Sequence, residues 1–394
     1  MSSFDPKRVE SRCAHFIGGV YRQDQAQLEV IRPSDGEHYA DLPIANTTMV
    51  DEVVENSWHA FKTSDWASRP PRERARVMRR WADLIDADIA TLAPLEAVGS
   101  TRPYSEVVAF DLPFAAEGLR FFAEFADKVG GEVACTATDH LGMQISEPYG
   151  VIAAIAPWNF PLTMACWKIA PALAAGNAVV LKPSEMTPFS CLRMAELAIK
   201  AGMPPGIFNI VQGDGRTTGT SLCRHHRIST VTFTGSTATG ISIMKACAET
   251  GPKPVTLELG GKSPQLVFAD APDLLRTARS IAKGITGNAG QVCVSGSRLI
   301  VQRAAYQPLV EEIVRVFQAL KPGRTWDEHT TLAPIISAGQ ADRIAGIVNR
   351  ALDGGAQALI GGRLADTGLG GSFYLPTLLT GVTAGNPAVM EEIF

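Results

Sequence analysis

Between Val151 and Leu181 the only charged side chain is Lys168. Pro157, Asn159, Pro161, Pro171 and the pair Gly176-Asn177 divide this apolar stretch into two short runs, 151–156 and 178–181, around a piece of helical length. A membrane span would need about 20 unbroken apolar residues. Two continuous apolar runs flanking a helix have instead the pattern of buried parallel strands and their crossover. The alternation continues with predicted strands at 207–211, 230–234 and 255–259. Helices are predicted near 162–175, 188–201, 215–224 and 237–249. That order predicts a parallel sheet covered on both faces.

Either side of this region the pattern changes. Residues 16–45 read as small strands and turns, with Ile17-Gly18-Gly19 and Pro33-Ser34-Asp35-Gly36 as turn signals. Thr48 is expected to cap a helix running to about Phe61. Val77, Trp81, Leu84, Ile85 and Ile89 share one face of a second helix, and a third is expected over 105–128. Residues 130–149 open on Gly130-Gly131, turn at Asp139-His140 and predict an extended hairpin. After Gly260-Gly261 come a strand near 265–268, a long helix from Pro272, a strand at 298–302, helices at 305–320 and 338–352, and Gly/Leu-rich loops. A second α/β unit beginning near 260 is therefore expected.

Composition narrows the class. A chain of 394 residues is long enough for two or three domains. A net charge of −4 gives no reason to expect nucleic acid or an anionic membrane as partner. The seven cysteines are scattered without a Cys-x-x-Cys, so they form neither a disulfide framework nor a zinc set, and they suit a reducing compartment. Met1-Ser2-Ser3-Phe4-Asp5-Pro6-Lys7-Arg8 lacks the apolar run of a signal peptide. A cytoplasmic protein with no metal is expected.

Five stretches could carry chemistry. Gly287-Asn288-Ala289-Gly290-Gln291-Val292-Cys293 presents a thiol among turn-prone residues. Such a thiol can be a nucleophile, though a free cysteine is more often a small buried hydrophobe. Gly235-Ser236-Thr237-Ala238-Thr239-Gly240 leaves a strand and opens a helix, where a pyrophosphate can sit against a helix N-terminus or an ordinary turn can stand. Lys182-Pro183-Ser184-Glu185 ends another predicted strand and could reach a ribose, or be a charged loop. Asn159, in Pro157-Trp158-Asn159-Phe160-Pro161, could supply an oxyanion donor. Glu258, in Leu257-Glu258-Leu259-Gly260-Gly261, has apolar sequence neighbours. Burial there would raise its pKa and suit it to general-base work, or it is a satisfied polar group at a boundary.

In the order Asn159, Lys182, Gly235, Glu258, Cys293, these motifs resemble the NAD(P)-dependent aldehyde dehydrogenase superfamily, over essentially the whole chain. Glu391-Glu392-Ile393-Phe394 resembles the start of that family's Glu-Glu-Ile-Phe-Gly-Pro motif. The resemblance implies a Rossmann-like NAD-binding domain (1–129 and 150–259), an oligomerisation arm (130–149) and a catalytic domain (260–394). It implies Cys293 as nucleophile, Glu258 as general base, and Asn159 with the Cys293 N–H as oxyanion hole. For the cofactor, NAD with NADP as an alternative, it implies Trp158, Lys182, Glu185, Gly235, Ser236, Glu392 and Phe394. It places Phe114, Phe160, Met164, Trp167 and Val292 along a substrate tunnel.

The activity implied is oxidation of an aldehyde to a carboxylic acid through a thiohemiacetal and a thioester hydrolysed by Glu258-activated water. An apolar or aromatic aldehyde fits the tunnel residues, and Asp111 and Glu117 leave an amino-aldehyde open. A homo-oligomer is implied. Because family members continue past Glu-Glu-Ile-Phe, the catalytic domain is expected to be C-terminally incomplete and the arm to lack its partner strand. The alternative from another class is a catalytically silent relative with a cofactor-binding or structural role.

Overall fold

The computed structural model describes residues 4–394; the first three residues of the stretch read for a leader lie outside it. The two uncharged runs form the strands Val151–Ile155 and Ala178–Lys182, every residue of both buried. They are the centre of a seven-stranded sheet. Its order is Val255–Leu259, Ile228–Gly235, Val151–Ile155, Ala178–Lys182, Phe208–Ile210, His15–Ile17, Val20–Arg22. The first five strands are parallel, as their pattern predicts. The N-terminal hairpin adds two antiparallel strands at one edge, so the sheet is mixed rather than wholly parallel.

Several local expectations shift. The first helix is Thr47–Thr63, and its cap is Asn46, whose side chain accepts from Met49 N–H; Thr48 lies inside the helix. The next helix, Pro71–Ala87, ends at Asp88, and Ile89 opens a further helix, Ile89–Gly99, that the periodicity merged with it. The stretch 105–128 breaks into a π turn, Val107–Asp111, and the helix Leu112–Phe125. The stretch 215–224 likewise begins as a π turn, Gly215–Gly219. Within the Gly/Leu-rich C-terminal loops, Gln357–Ile360 pairs antiparallel with Leu378–Thr380.

The residues after 260 build smaller units. Pro264–Val267 pairs in parallel with Arg298–Val301. The helices Leu274–Thr286 and Arg303–Gln318 pack on this pair through Val267, Ala278, Ile281, Leu309, Ile313 and Phe317. Its other side is open, with Leu266 61% and Phe268 63% exposed. The predicted hairpin is present as Glu132–Ala134 against Gly142–Gln144, and its apolar side chains are bare: Val133 and Leu141 are each 72% exposed. No helix among the described residues is long and apolar enough to cross a membrane.

Candidate active site

The strand order places a site before any side chain is considered. From Val151–Ile155 the chain adds strands toward Phe208–Ile210, then returns to place Ile228–Gly235 on the opposite side. The carboxyl ends of Val151–Ile155 and Ile228–Gly235 therefore flank a topological switch point, where open α/β sheets bind ligands. The Asn159 loop leaves one of these strands and the Gly235-Ser236 turn leaves the other.

Asn159 is 5% exposed, and its Nδ2 donates to Gln291 O at 2.9 Å. Asn288 Nδ2 donates to Asn159 O at 3.1 Å and to Gln291 O at 3.3 Å, and its Oδ1 accepts from Thr101 Oγ1 at 2.7 Å. Gln291 in turn donates from Nε2 to Asn288 O and Pro334 O and accepts from Ile336 N–H. These bonds hold a loop that bare sequence preference would not. Asn288 (φ 48°), Ala289 (φ 55°) and Gly290 (φ 82°) are consecutive left-handed residues. A non-glycine residue there costs roughly 1–2 kcal/mol, least for asparagine. Strain of this kind persists only where the surroundings enforce it.

That loop delivers Cys293, half-buried. Burial pushes its thiol above the usual cysteine range, the backbone N–H groups of Cys293 and Val294 pull it down, and Glu392 and Glu258 push it up further. Both carboxylates thus act on the sulfur through their charge. Glu258 departs from expectation: it is exposed. Val255–Leu259 is an edge strand whose alternation turns Thr256 and Glu258 outward, so an open cleft and not an apolar enclosure surrounds this carboxylate. Its charge acts on the buried Lys168, which donates to Thr232 Oγ1 at 3.3 Å. Burial lowers the Lys168 pKa to about 8, and the charge of Glu258 opposes that shift.

The expected cofactor residues sit around the same crevice. Lys182, 2% exposed, donates from Nζ to Glu185 Oε2 at 3.2 Å and to Pro183 O at 3.1 Å. Ser236 caps the helix Thr237–Ala248, accepting from Thr239 N–H at 3.2 Å. No acidic side chain stands in that helix's first turn. Gly235 has no room for a side chain, because a Cβ would run into the Phe233 ring. Glu392 accepts from Gly261 N–H at 3.2 Å, and Phe394 meets Trp158 edge-on at 5.3 Å. Arg343 holds this segment by donating to Ile393 O and Glu392 O, each at 2.7 Å.

The tunnel residues are only partly brought together. Phe114 stacks with Phe110 at 5.0 Å and meets Trp167 at 5.3 Å, with Met164 one turn away from Trp167 on the helix Pro161–Ala174. The Phe160 ring lies under the Arg102 guanidinium at 4.3 Å. Val292 instead lines an apolar cavity of about 520 Å³ with Ile281, Ile335, Glu392 and Phe394, whereas Phe114 lines an open groove with Phe110 and Glu117. Asp111 is not available to a substrate amine. It is buried and held by Arg102 through Nε–Oδ2 at 2.7 Å and Nη2–Oδ1 at 3.1 Å.

A family model described as the aldehyde dehydrogenase family matches residues 20–394. The chain belongs to the aldehyde dehydrogenase family. It is 39% identical over 388 residues to the NADP/NAD-dependent aldehyde dehydrogenase PuuC of Escherichia coli (strain K12), covering 98% of this chain and 77% of that one. To retinal dehydrogenase 2 of Rattus norvegicus it is 38% identical over 384 residues, covering 96% and 73% respectively. The solved structure of an indole-3-acetaldehyde dehydrogenase complexed with NAD+ superposes with a TM-score of 0.95 at 37% identity, over 98% of this chain and 79% of that one.

The residues of this aldehyde dehydrogenase fit a dinucleotide. The capped, acid-free N-terminus of Thr237–Ala248 at the switch point leaves its backbone N–H groups and dipole for an anion. Sequence reasoning missed three parts of the site. Lys168 was legible only as a lone charge, Asn288 only as a turn residue, and Glu96 and Arg102 carried no motif at all.

Proposed function

We propose that this enzyme oxidises an aldehyde to a carboxylic acid with NAD, through a thioester on Cys293. What supports the reading is that Asn159 is bonded to the Cys293 loop at Gln291 O, while the charges of Glu258 and Glu392 act on the same thiol beside the switch point. Cys293 Sγ attacks the carbonyl carbon, and Glu258 is the nearby base that can take the thiol proton. One Asn159 N–H is committed to Gln291 O. An amide has two, and the second, with the Cys293 backbone N–H, stabilises the oxyanion. NAD, when bound, accepts the hydride that leaves the thiohemiacetal carbon. Lys182, Glu185, Gly235, Ser236, Glu392, Trp158 and Phe394 hold the cofactor. Glu258, exposed to solvent, releases the thiol proton to bulk water and, ionised again, takes a proton from the attacking water, whose oxygen adds to the thioester carbon and expels the Cys293 thiolate with the acid.

The domain division is 1–129 with 150–259 for NAD, and 260–394 for catalysis. The bare apolar side chains of the 130–149 arm support a homo-oligomer in which a second copy covers them. Seven free cysteines support a cytoplasmic location. The Phe110–Phe114–Trp167 row favours an aryl or long apolar aldehyde, in line with the indole-3-acetaldehyde and retinal named for relatives. A silent relative is the weaker reading, since each chemical position is filled.

An aldehyde panel tests the reading. NAD reduction should depend on the aldehyde, and Cys293→Ala should abolish it while NAD still binds. An active Cys293→Ala would overturn the assignment. Glu185 beside the ribose site should repel a 2′-phosphate, giving NAD roughly 10–100-fold better kcat/KM than NADP. Equal efficiency with NADP would remove that role for Glu185.

A further inference from the structure

The helix Pro161–Ala174 carries Met164, Trp167 and Lys168, and the residue two before it is Asn159. Its own sequence does little to fix its start. The N-cap is Phe160, which makes no side-chain cap bond, and Pro161 has no N–H to offer. The start is held from outside. Leu162 N–H donates to Glu96 Oε1 at 3.2 Å, Thr163 Oγ1 donates to Asp111 O at 3.2 Å, and Arg102 lies over Phe160.

Glu96 is the unusual member. It is 2% exposed on the helix Ile89–Gly99, and no ion pair compensates it. Arg102 is already committed to Asp111 and, at 2.8 Å, to Glu106. Ser190 stands beside Glu96 and favours its charged form, but no cation pairs with the carboxylate. A buried carboxyl left this way costs stability. A glutamine would make the same bond to Leu162 without burying a charge. What only the carboxylate supplies is charge at a helix N-terminus, where the dipole rewards it.

We infer that Glu96 is a positioning residue for aldehyde oxidation: its buried carboxyl receives the start of the helix Pro161–Ala174 and so fixes Asn159 against the Cys293 loop. The inference rests on Asn159 serving as oxyanion donor. Burial pushes the Glu96 pKa up to about 7, with Asp111 adding to the rise and Leu162 N–H, Ser190 and Arg102 opposing it. Cys166 and Cys191, also packed nearby, have thiols raised by burial and stay neutral. The ionised cap is therefore present above about pH 7 and lost below it.

The test compares Glu96→Ala, Glu96→Gln and Asn159→Ala in the full chain, with Cys293 alkylation counting active sites. Glu96→Ala should lower kcat per active site about tenfold or more with little change in KM, as small misplacements do. Hydrogen exchange over 159–166 should speed up in the same variant. Glu96→Gln mimics the neutral carboxyl, so the wild-type/Gln ratio of kcat should be near one at pH 6 and rise about 2–5-fold above pH 8. Because the other titrating groups are common to both proteins, they cancel in that ratio. Glu96→Gln should also melt higher than wild type at pH 8 and equally at low pH, a gain in stability paired with a loss in rate. A merely structural cap would give no pH-dependent ratio. A flat ratio, or unchanged kcat in Glu96→Ala, would overturn the inference; where Glu96→Ala does not fold, the ratio decides. If Asn159→Ala keeps its turnover, the oxyanion reading fails instead.

Discussion

Asn159 stands in a web of hydrogen bonds with Asn288 and Gln291, buried and tied to the loop that delivers Cys293. Glu258, whose charge acts on the same cysteine, stands on the outward side of an edge strand, exposed and without a hydrogen-bond partner among the described residues. The difference matches what each task demands. An oxyanion donor works by standing still, because preorganised dipoles need no reorientation as charge develops. A base that serves a thiol and later a water has two different atoms to reach, and an unbonded side chain in an open cleft can reach both.

Removing either side chain tests these two roles. The largest effect belongs to the fixed wall: Asn159→Ala should cost about 10²–10³ in kcat. Pre-steady-state kinetics should show the loss in the first, NAD-reducing step. A slowing confined to steady-state turnover would contradict the fixed-donor account. A smaller effect sharpens the other wall. Glu392 and Glu258 both push the Cys293 thiol up, so removing a charge lowers its pKa and exposes more thiolate. Glu392→Gln should therefore speed iodoacetamide alkylation a few-fold at pH 8, the gain shrinking as pH rises past the thiol pKa. Unchanged alkylation would mean that Glu392 does not act on the sulfur.

Much of the fixed wall was legible in the sequence. The strands 151–155 and 178–182 announce themselves as apolar runs with no charge before Lys182 at the end of the second, because the middle of a parallel strand buried on both faces disfavours charge. Asn159 and Cys293 sit in turn-rich motifs that local chemistry makes visible. The web between them was not legible, since Asn288 and Asn159 are far apart in sequence and meet only through tertiary packing. Glu258 was misread for a related reason. Leucines flank it on both sides, but strand alternation sends those leucines to one face and the carboxylate to the other. Glu96 gave no signal, because a carboxyl on a helix with almost no amphipathic pattern looks like any surface residue.

The most direct test of the account is a rapid-mixing experiment on Glu258→Gln, with aldehyde and NAD in excess over enzyme. The account predicts a burst of reduced nicotinamide approaching one equivalent per active site, followed by turnover slowed about 10²–10⁴-fold. An acyl adduct on Cys293 should be visible by mass spectrometry. Full steady-state turnover, or no burst while Cys293 still alkylates at the normal rate, would contradict it.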